Sequence, residues 1–271
     1  MGPAWLLPHP EGSRLRLSDA QAAAPAGLPD KKTTDALLDE LGDRTEALQA
    51  ALGAEQKRSL LVVLQGRDAS GKDATTRKVF HKLNPALCVV TNFKRPNELE
   101  LRHDYLWRVH QAIPPRGMLG IFNRSHYEDV LTVRVHGLVP EAQWRKRYSQ
   151  INAFESMLAD EGVVIRKFFL HLSRDEQRKR LEERLEDPAK NWKFQPGDLD
   201  ERLLWDRYTE AYEEMLELTS TVRNPWFIVP SDKPRARDLL VAQVVVQALE
   251  TMDPKYPPAD PAVLALRGTI T

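Results

Sequence analysis

The stretch Leu60-Leu61-Val62-Val63-Leu64-Gln65-Gly66-Arg67-Asp68-Ala69-Ser70-Gly71-Lys72-Asp73 decides the fold. A five-residue apolar run leads to a glycine, four residues follow, then Gly71-Lys72. This is the layout of a buried strand feeding a phosphate-binding loop, with a helix starting at its far end. Backbone N–H groups from Gly66, Arg67, Asp68, Ala69, Ser70 and Gly71 can wrap a phosphate. The helix N-terminus adds positive potential, and Lys72 adds a full charge. Such loops usually end in Ser or Thr, whose hydroxyl holds magnesium. Here that residue is Asp73. It can replace the hydroxyl as a direct or water-bridged magnesium ligand, or simply favour the first helical turn as an acid. Asp68, inside the loop, repels a bound phosphate unless a cation lies between them. It can also act as a base toward an attacking phosphate oxygen.

Outward from this stretch, four further apolar runs read as strands: Leu87 to Thr91, Met118 to Phe122, Val163 to Leu172 and Trp226 to Val229. They alternate with helical patterns. The first helix runs from a Thr34 cap to about Leu52, with Gly53 at its C-terminal end; others span Leu99 to Ile113, from Pro140, from Ser173, about Leu199 to Thr221, and Asp238 to Leu249. Ser173 with Glu176 reads as a capping box. Strands alternating with helices predict a parallel sheet covered on both faces, with ligands at the carboxyl ends of its strands. Residues 1–32, with Pro3, Pro8, Pro10, Pro25 and Pro29, read as an extended arm, of a kind often disordered but also able to drape over a partner subunit. One domain is expected over 33–257, then a loose tail over 258–271.

The second polar cluster at a strand end is Asn123-Arg124-Ser125-His126-Tyr127-Glu128-Asp129. Nucleotide enzymes commonly place a magnesium-linked carboxylate there. Asn123 can ligate a cation through its oxygen or hydrogen-bond a phosphate, but it is no base. Arg124 can neutralise transferring phosphoryl oxygens; the competing reading is a surface salt bridge. Glu128 and Asp129 can supply the missing carboxylate. His126 reads as a hydrogen-bonded packing residue. The segment from Arg174 to about Asp206 is nearly all charge, so it reads as a mobile projection that buries little. Arg180 and Arg184 share a helical face that Arg178 does not. Trp192 is expected to pack this projection against the body.

Composition bounds the function. The 271 residues are 42% hydrophobic, with 39 basic and 39 acidic side chains. Zero net charge argues against a general nucleic-acid or anionic-membrane binder. The single Cys88 precludes an internal disulfide and reads as a core thiol. No apolar run approaches the roughly 18 residues of a membrane span. The first residues do not read as a signal peptide, so a cytoplasmic protein is expected.

Three motifs carry a resemblance: the loop 64–73, the run Phe122 to Leu131, and Arg184-Leu185-Glu186-Asp187-Pro188-Ala189-Lys190-Asn191-Trp192-Lys193. Together they resemble the polyphosphate kinase 2 family, from about residue 30 to 257. The resemblance implies a three-layer P-loop kinase fold akin to thymidylate kinase, with a five-stranded parallel sheet and a helical lid at about 174–206. It implies phosphoryl transfer between inorganic polyphosphate and a nucleotide, with magnesium or, alternatively, manganese. Asp68, Lys72, Asn123, Arg124, Arg178 and Arg184 are the implied catalytic positions, with Asp68, Asp73 and Asn123 on the metal side. The strand-end run is similar to the subgroup that phosphorylates both AMP and ADP, and Glu128 looks like its marker. Polyphosphate is expected along the loop, Arg124 and the lid, including Lys190 and Lys193. AMP or ADP is expected near Lys94, Arg95, Asn97 and Glu98, and a homo-oligomer (dimer or tetramer) is anticipated. The rival readings are an ATP-dependent nucleoside monophosphate kinase and a non-catalytic nucleotide-binding module.

Overall fold

The computed structural model describes residues 7–269. The first six residues of the arm, with Pro3, lie outside them. Among the described residues, five strands form one parallel sheet in the order β2-β3-β1-β4-β5. The order of elements is α1 (Lys31–Glu55), β1 (Ser59–Gln65), α2 (Lys72–Val79), β2 (Cys88–Asn92), α3 (Trp107–Ala112) and β3 (Leu119–Asn123). There follow α4 (Thr132–Val135), α5 (Glu141–Asp160), β4 (Val163–His171), α6 (Arg174–Glu186), α7 (Gly197–Leu203), α8 (Trp205–Thr219), β5 (Trp226–Pro230), α9 (Pro234–Met252) and α10 (Pro261–Leu264).

The two-residue period of the strands builds two cores. Leu60, Val62 and Leu64 of β1 join Leu119, Ile121, Phe168 and Leu170 under α1, α2 and α9. Leu61 and Val63 point the other way, with Phe122, Ile165 and Phe169 under α3, α5 and α8. Every residue of β1 is buried, as a central parallel strand covered on both faces requires. The first residue after β1 is therefore delivered to a fixed place at the carboxyl edge of the sheet. The three-layer α/β class expected from the sequence is the observed one.

Several local expectations are corrected. Asp30, not Thr34, caps α1: its carboxylate accepts from the Thr33 N–H at 2.8 Å. Gly53 lies inside this helix, where a Cβ would stand 2.7 Å from Leu87 Cδ1; Gln56, left-handed at φ 53°, ends the helix instead. The stretch Leu99 to Ile113 is not one helix. Asn97 and Glu100 exchange side-chain-to-backbone bonds, and Asp104 accepts from the Leu106 N–H. Such local bonds compete with helix continuation, leaving a short 3-10 turn (Glu100–Arg102) before α3. The helix expected from Leu199 breaks at Leu204 into α7 and α8, and α9 begins earlier than Asp238, at Pro234.

The arm folds onto its own chain. The His9 N–H donates to Trp226 O of edge strand β5, Leu17 N–H donates to Glu213, and a His171 ring nitrogen lies 2.8 Å from Ser18 O. A covered edge strand is protected from pairing with other chains. Cys88 is only partly buried, and burial pushes its thiol up to about 11, so it is no nucleophile at neutral pH.

Candidate active site

The phosphate loop turns where β1 ends. Gly71 adopts φ +96°, and α2 starts at the next residue. Ala69 and Arg124 hold φ of 61° each, a left-handed conformation that is uncommon for residues carrying a Cβ. Ala69 lies in the loop between β1 and α2, and Arg124 directly follows β3, junctions of the site where strained backbone is often kept. The Arg124 N–H donates to Leu64 O, tying the turn after β3 to the end of β1.

These junctions open into a cleft of about 970 Å³. It is lined by Asp68, Ala69, Gly71, Lys72, Asp73, Lys94, Arg95, Asn123, Arg124, Arg184 and Lys190, all anticipated from the sequence, and by Arg77, Asn92, Trp192 and Gln195, which were not. Arg77 lies one helical turn beyond Asp73, so its spacing already placed it on the site's side of α2. Asn92 ends β2, a position the strand-end rule marks.

Lys72 is buried, its Nζ donating to Gly66 O at 2.7 Å and Arg67 O at 3.0 Å. Burial, and then the Arg124 charge, push it down to about 8, against the pull of Asp68, Glu128 and Asp73. Asp68 accepts from Arg184 Nη1 at 2.6 Å. Burial works against its charge, but Arg184 and Lys72 outweigh it and hold the carboxyl below its usual value. Arg124 also resists burial, held charged by Glu128 and Asp68. Asn123 Nδ2 donates to Asp73 Oδ1 and, at 2.8 Å, to Asn92 Oδ1. The amide oxygen is thereby left as the Asn123 atom able to accept or ligate.

A second, smaller cavity of about 180 Å³ shares Asp68 and Arg124 with the cleft. Its walls are Gly66, Arg67, Glu128, Thr132, Gln177, Asp198, Glu201 and the rings of Trp205, Tyr208 and Tyr212. Glu128 is fixed by Gln65 Nε2 at 3.1 Å and Thr132 Oγ1 at 2.5 Å. The Arg67 guanidinium lies 3.8 Å from the centre of the Trp205 ring and donates to Trp205 O and Thr209 Oγ1. Burial pushes it down to about 10, so it remains charged at neutral pH.

Other anticipated residues fall elsewhere. Arg178 is exposed and faces Glu182 at 3.7 Å, as the helical period required once Arg184 faces the loop. Asn97 is spent on its turn, and neither it nor Glu98 lines the cleft or the adjoining cavity. Ser70 is buried behind the loop. Asp129 pairs with Arg147 at 2.9 Å and supplies no carboxylate to the cleft. The Lys193 side chain lies outside the described residues. His126 is a packing residue, its Nε2 3.1 Å from Glu155 Oε1.

The charged segment buries little, as expected, yet its first helix is seated on the phosphate loop. Gln177 and Leu181 of α6 are buried, and Leu181 packs with Ala69 of the loop and Leu172. The segment is seated mainly by polar side chains, which hydrophobic pattern cannot show. Trp192, expected to pack the segment against the body, is 73% exposed at the cleft, with its indole N–H bonded to Ala189 O.

The polyphosphate kinase 2 family profile matches residues 29–257. The chain belongs to the polyphosphate kinase 2 family. It is 54% identical over 222 residues to the AMP/ADP-polyphosphate phosphotransferase of Meiothermus ruber, covering 82% of this chain and 83% of that one. It is 44% identical over 232 residues to the ADP-polyphosphate phosphotransferase of Rhodopseudomonas palustris, covering 81% and 80%. The crystal structure of polyphosphate kinase 2 from Arthrobacter aurescens TC1 superposes with a TM-score of 0.89 at 38% identity, covering 97% of this chain and 98% of that one. No helix among the described residues is long and apolar enough to cross a membrane.

Proposed function

We propose that the protein transfers phosphoryl groups reversibly from inorganic polyphosphate to AMP and ADP, giving ADP and ATP. One observation carries the reading beyond family membership: seven Lys and Arg side chains, against Asp68 and Asp73, line a single open cleft beside the phosphate loop. A long polyanion suits such a cleft, because neighbouring cations lower its self-repulsion along the whole bound length. The donor lies along Lys72, Arg124, Arg184 and Lys190. Lys94 and Arg95, expected with the nucleotide, line this same cleft and are assigned to phosphates. The nucleoside is assigned to the adjoining cavity, whose aromatic rings and Glu128 suit a base with amino donors. Asp68 and Arg124 stand where the two cavities meet.

Transfer is in line, with positioning and charge neutralisation supplying most of the rate. Lys72 and Arg124 neutralise the transferring group, and Arg184 covers it from α6. Asp68, held below the usual carboxylate range, is a poor base toward a phosphate whose second pKa is about 6. Its role is to orient the attacking oxygen.

The family chemistry implies a divalent cation. No cluster of three acidic, His or Cys side chains able to hold one is present among the described residues. Magnesium does not need such a cage, since it commonly takes one or two carboxylates plus substrate phosphates and water. Asp68, Asp73 and the Asn123 oxygen fit that pattern as hard oxygen donors. A magnesium ion held by them would supply positive charge against the negative charge that develops during transfer.

The test is a panel of AMP, ADP, GMP and GDP, each with polyphosphate or ATP as donor. ADP and ATP should appear from AMP with polyphosphate. Transfer from ATP alone would move the protein to the nucleoside monophosphate kinases, and binding without turnover would make it a binding module. Asp68→Asn should abolish turnover. A homo-oligomer, dimer or tetramer, belongs to the same proposal and is measured by light scattering.

A further inference from the structure

The carbonyls at the crest of the phosphate loop are each held by a side chain from outside it. Gln177 Nε2 donates to Asp68 O at 3.0 Å, Arg180 Nη1 to Ala69 O at 3.0 Å, and Arg237 Nη1 to Ser70 O at 3.3 Å. Gln177 and Arg180 come from α6, and Arg237 from α9. Ala69 and Gly71 line the cleft, whereas Arg180 and Arg237 line neither cavity. The two guanidinium groups therefore reach the loop from the side away from the cleft.

Peptide planarity makes this consequential. A carbonyl drawn away from the cleft turns the next N–H in the opposite direction: beyond Ser70 O this is the Gly71 N–H, at the cleft, while beyond Ala69 O it is the Ser70 N–H, which closes the loop by donating to Arg67 O at 3.2 Å. A flipped peptide would instead present a carbonyl oxygen to a phosphate. Ala69 is the position most exposed to such a flip, because its left-handed conformation is disfavoured for a residue with a Cβ. Arg180 is itself held in place: Nη2 also donates to Ser231 O at 2.7 Å and Asp232 O at 3.2 Å, and Nε donates to Glu176 at 2.9 Å. One side chain thus ties the charged segment, the loop and the turn after β5 into a single unit.

We propose that Arg180 and Arg237 are positioning residues that hold the loop's peptide groups in their phosphate-binding orientation, and that through Arg180 the seating of α6 sets the anion affinity of the loop. The proposal rests on the phosphate-loop reading above, but not on which donor or nucleotide is used.

The test measures tripolyphosphate binding by calorimetry for wild type, Arg180→Met, Arg180→Lys and Lys179→Met. Lys179 is exposed on the same helix, so its variant removes an equal charge without touching the loop. Circular dichroism confirms folding at the temperature used. Arg180→Met should weaken tripolyphosphate at least fivefold, Lys179→Met less than twofold. Arg180→Lys, which keeps the charge and one donor, should recover part of the loss. In turnover assays the Arg180→Met KM for polyphosphate should rise by the same factor, with the KM for nucleotide within twofold of wild type. Unchanged binding in a folded Arg180→Met variant, or an equal loss in Lys179→Met, overturns the proposal. If the wild type binds tripolyphosphate with this variant pattern yet transfers nothing to AMP or ADP, the proposed function fails and the positioning role stands.

Discussion

Gly71→Ala measures how tightly the loop is backed. The glycine has φ +96°, and a Cβ added there would lie 1.8 Å from Arg237 Nη1 and 2.7 Å from its Cζ. Two costs follow. Placing a residue with a Cβ in the left-handed region costs about 1–2 kcal/mol. The Arg237 guanidinium must also retreat by more than an ångström. It is 2% exposed and tied to Asp238, whose Oδ1 also accepts from Thr75, so it has no solvent to swing into. Losing its bond to Ser70 O costs about 1.5–3 kcal/mol, as for other hydrogen bonds to charged groups. Together the substitution should cost about 3–5 kcal/mol in urea denaturation. A double-mutant cycle separates the parts. In an Arg237→Ala background the clash vanishes, and Gly71→Ala should cost only the backbone part, about 1–2 kcal/mol. Equal cost in both backgrounds would refute the reasoning.

Three further outcomes are expected. Lys72 loses its proton near pH 8, so tripolyphosphate affinity should fall above that pH, by up to about tenfold per unit, and Lys72→Met should flatten this limb; the same fall in the variant would sink the assignment. The sign for stability is the reverse: with its folded-state pKa depressed, Lys72 contributes stability above its unfolded value of about 10.4 that is lost as pH falls through about 8, so Lys72→Met should gain up to about 3 kcal/mol at pH 7. Glu155 and Lys167 are fully buried at 2.7 Å, and together they also hold Tyr127, His126 and Thr219 O. Glu155→Leu or Lys167→Met alone should cost about 3–5 kcal/mol and the double variant much less, because a single change strands a buried charge; additive costs by urea denaturation would contradict this.

What was legible in the sequence was what local pattern encodes. Leu60 to Leu64 had to be a buried strand, and the spacing of Gly66 and Gly71-Lys72 made the loop readable. Position at a strand end marked Asn123-Arg124 in the same way. The helical period correctly put Arg180 and Arg184 together and excluded Arg178, which entered the catalytic set only by resemblance. Other features depend on contacts between distant elements. Arg67 meets Trp205 across 138 residues, and Arg237 reaches Ser70 across 167. No spacing rule connects them. Trp205, Tyr208 and Tyr212 look like the buried stripe of a helix, and only the fold shows that this stripe also walls a cavity beside Arg124. The seating of α6 was missed because its mean composition is polar, while its attachment relies on specific donors such as Gln177 and Arg180.

The unusual last loop residue follows from the same contacts. A common arrangement puts a hydroxyl at the end of the loop and a carboxylate at the end of the neighbouring strand. Here Asp73 ends the loop and Asn123 ends β3, and the two side chains are hydrogen-bonded to each other. The pair holds one carboxylate, at the helix start rather than at the strand end. At that place the positive end of α2 favours an anion. The amide left on β3 donates to Asp73 and Asn92 together, which a carboxylate at position 123 could not do. An aspartate at both positions would set two like charges against each other at hydrogen-bonding distance, and an amide or hydroxyl at both would leave Asp68 as the only acid lining the cleft. Asp73 and Asn123 are thus complementary, and the acid at the last loop position is one half of a hydrogen-bonded pair.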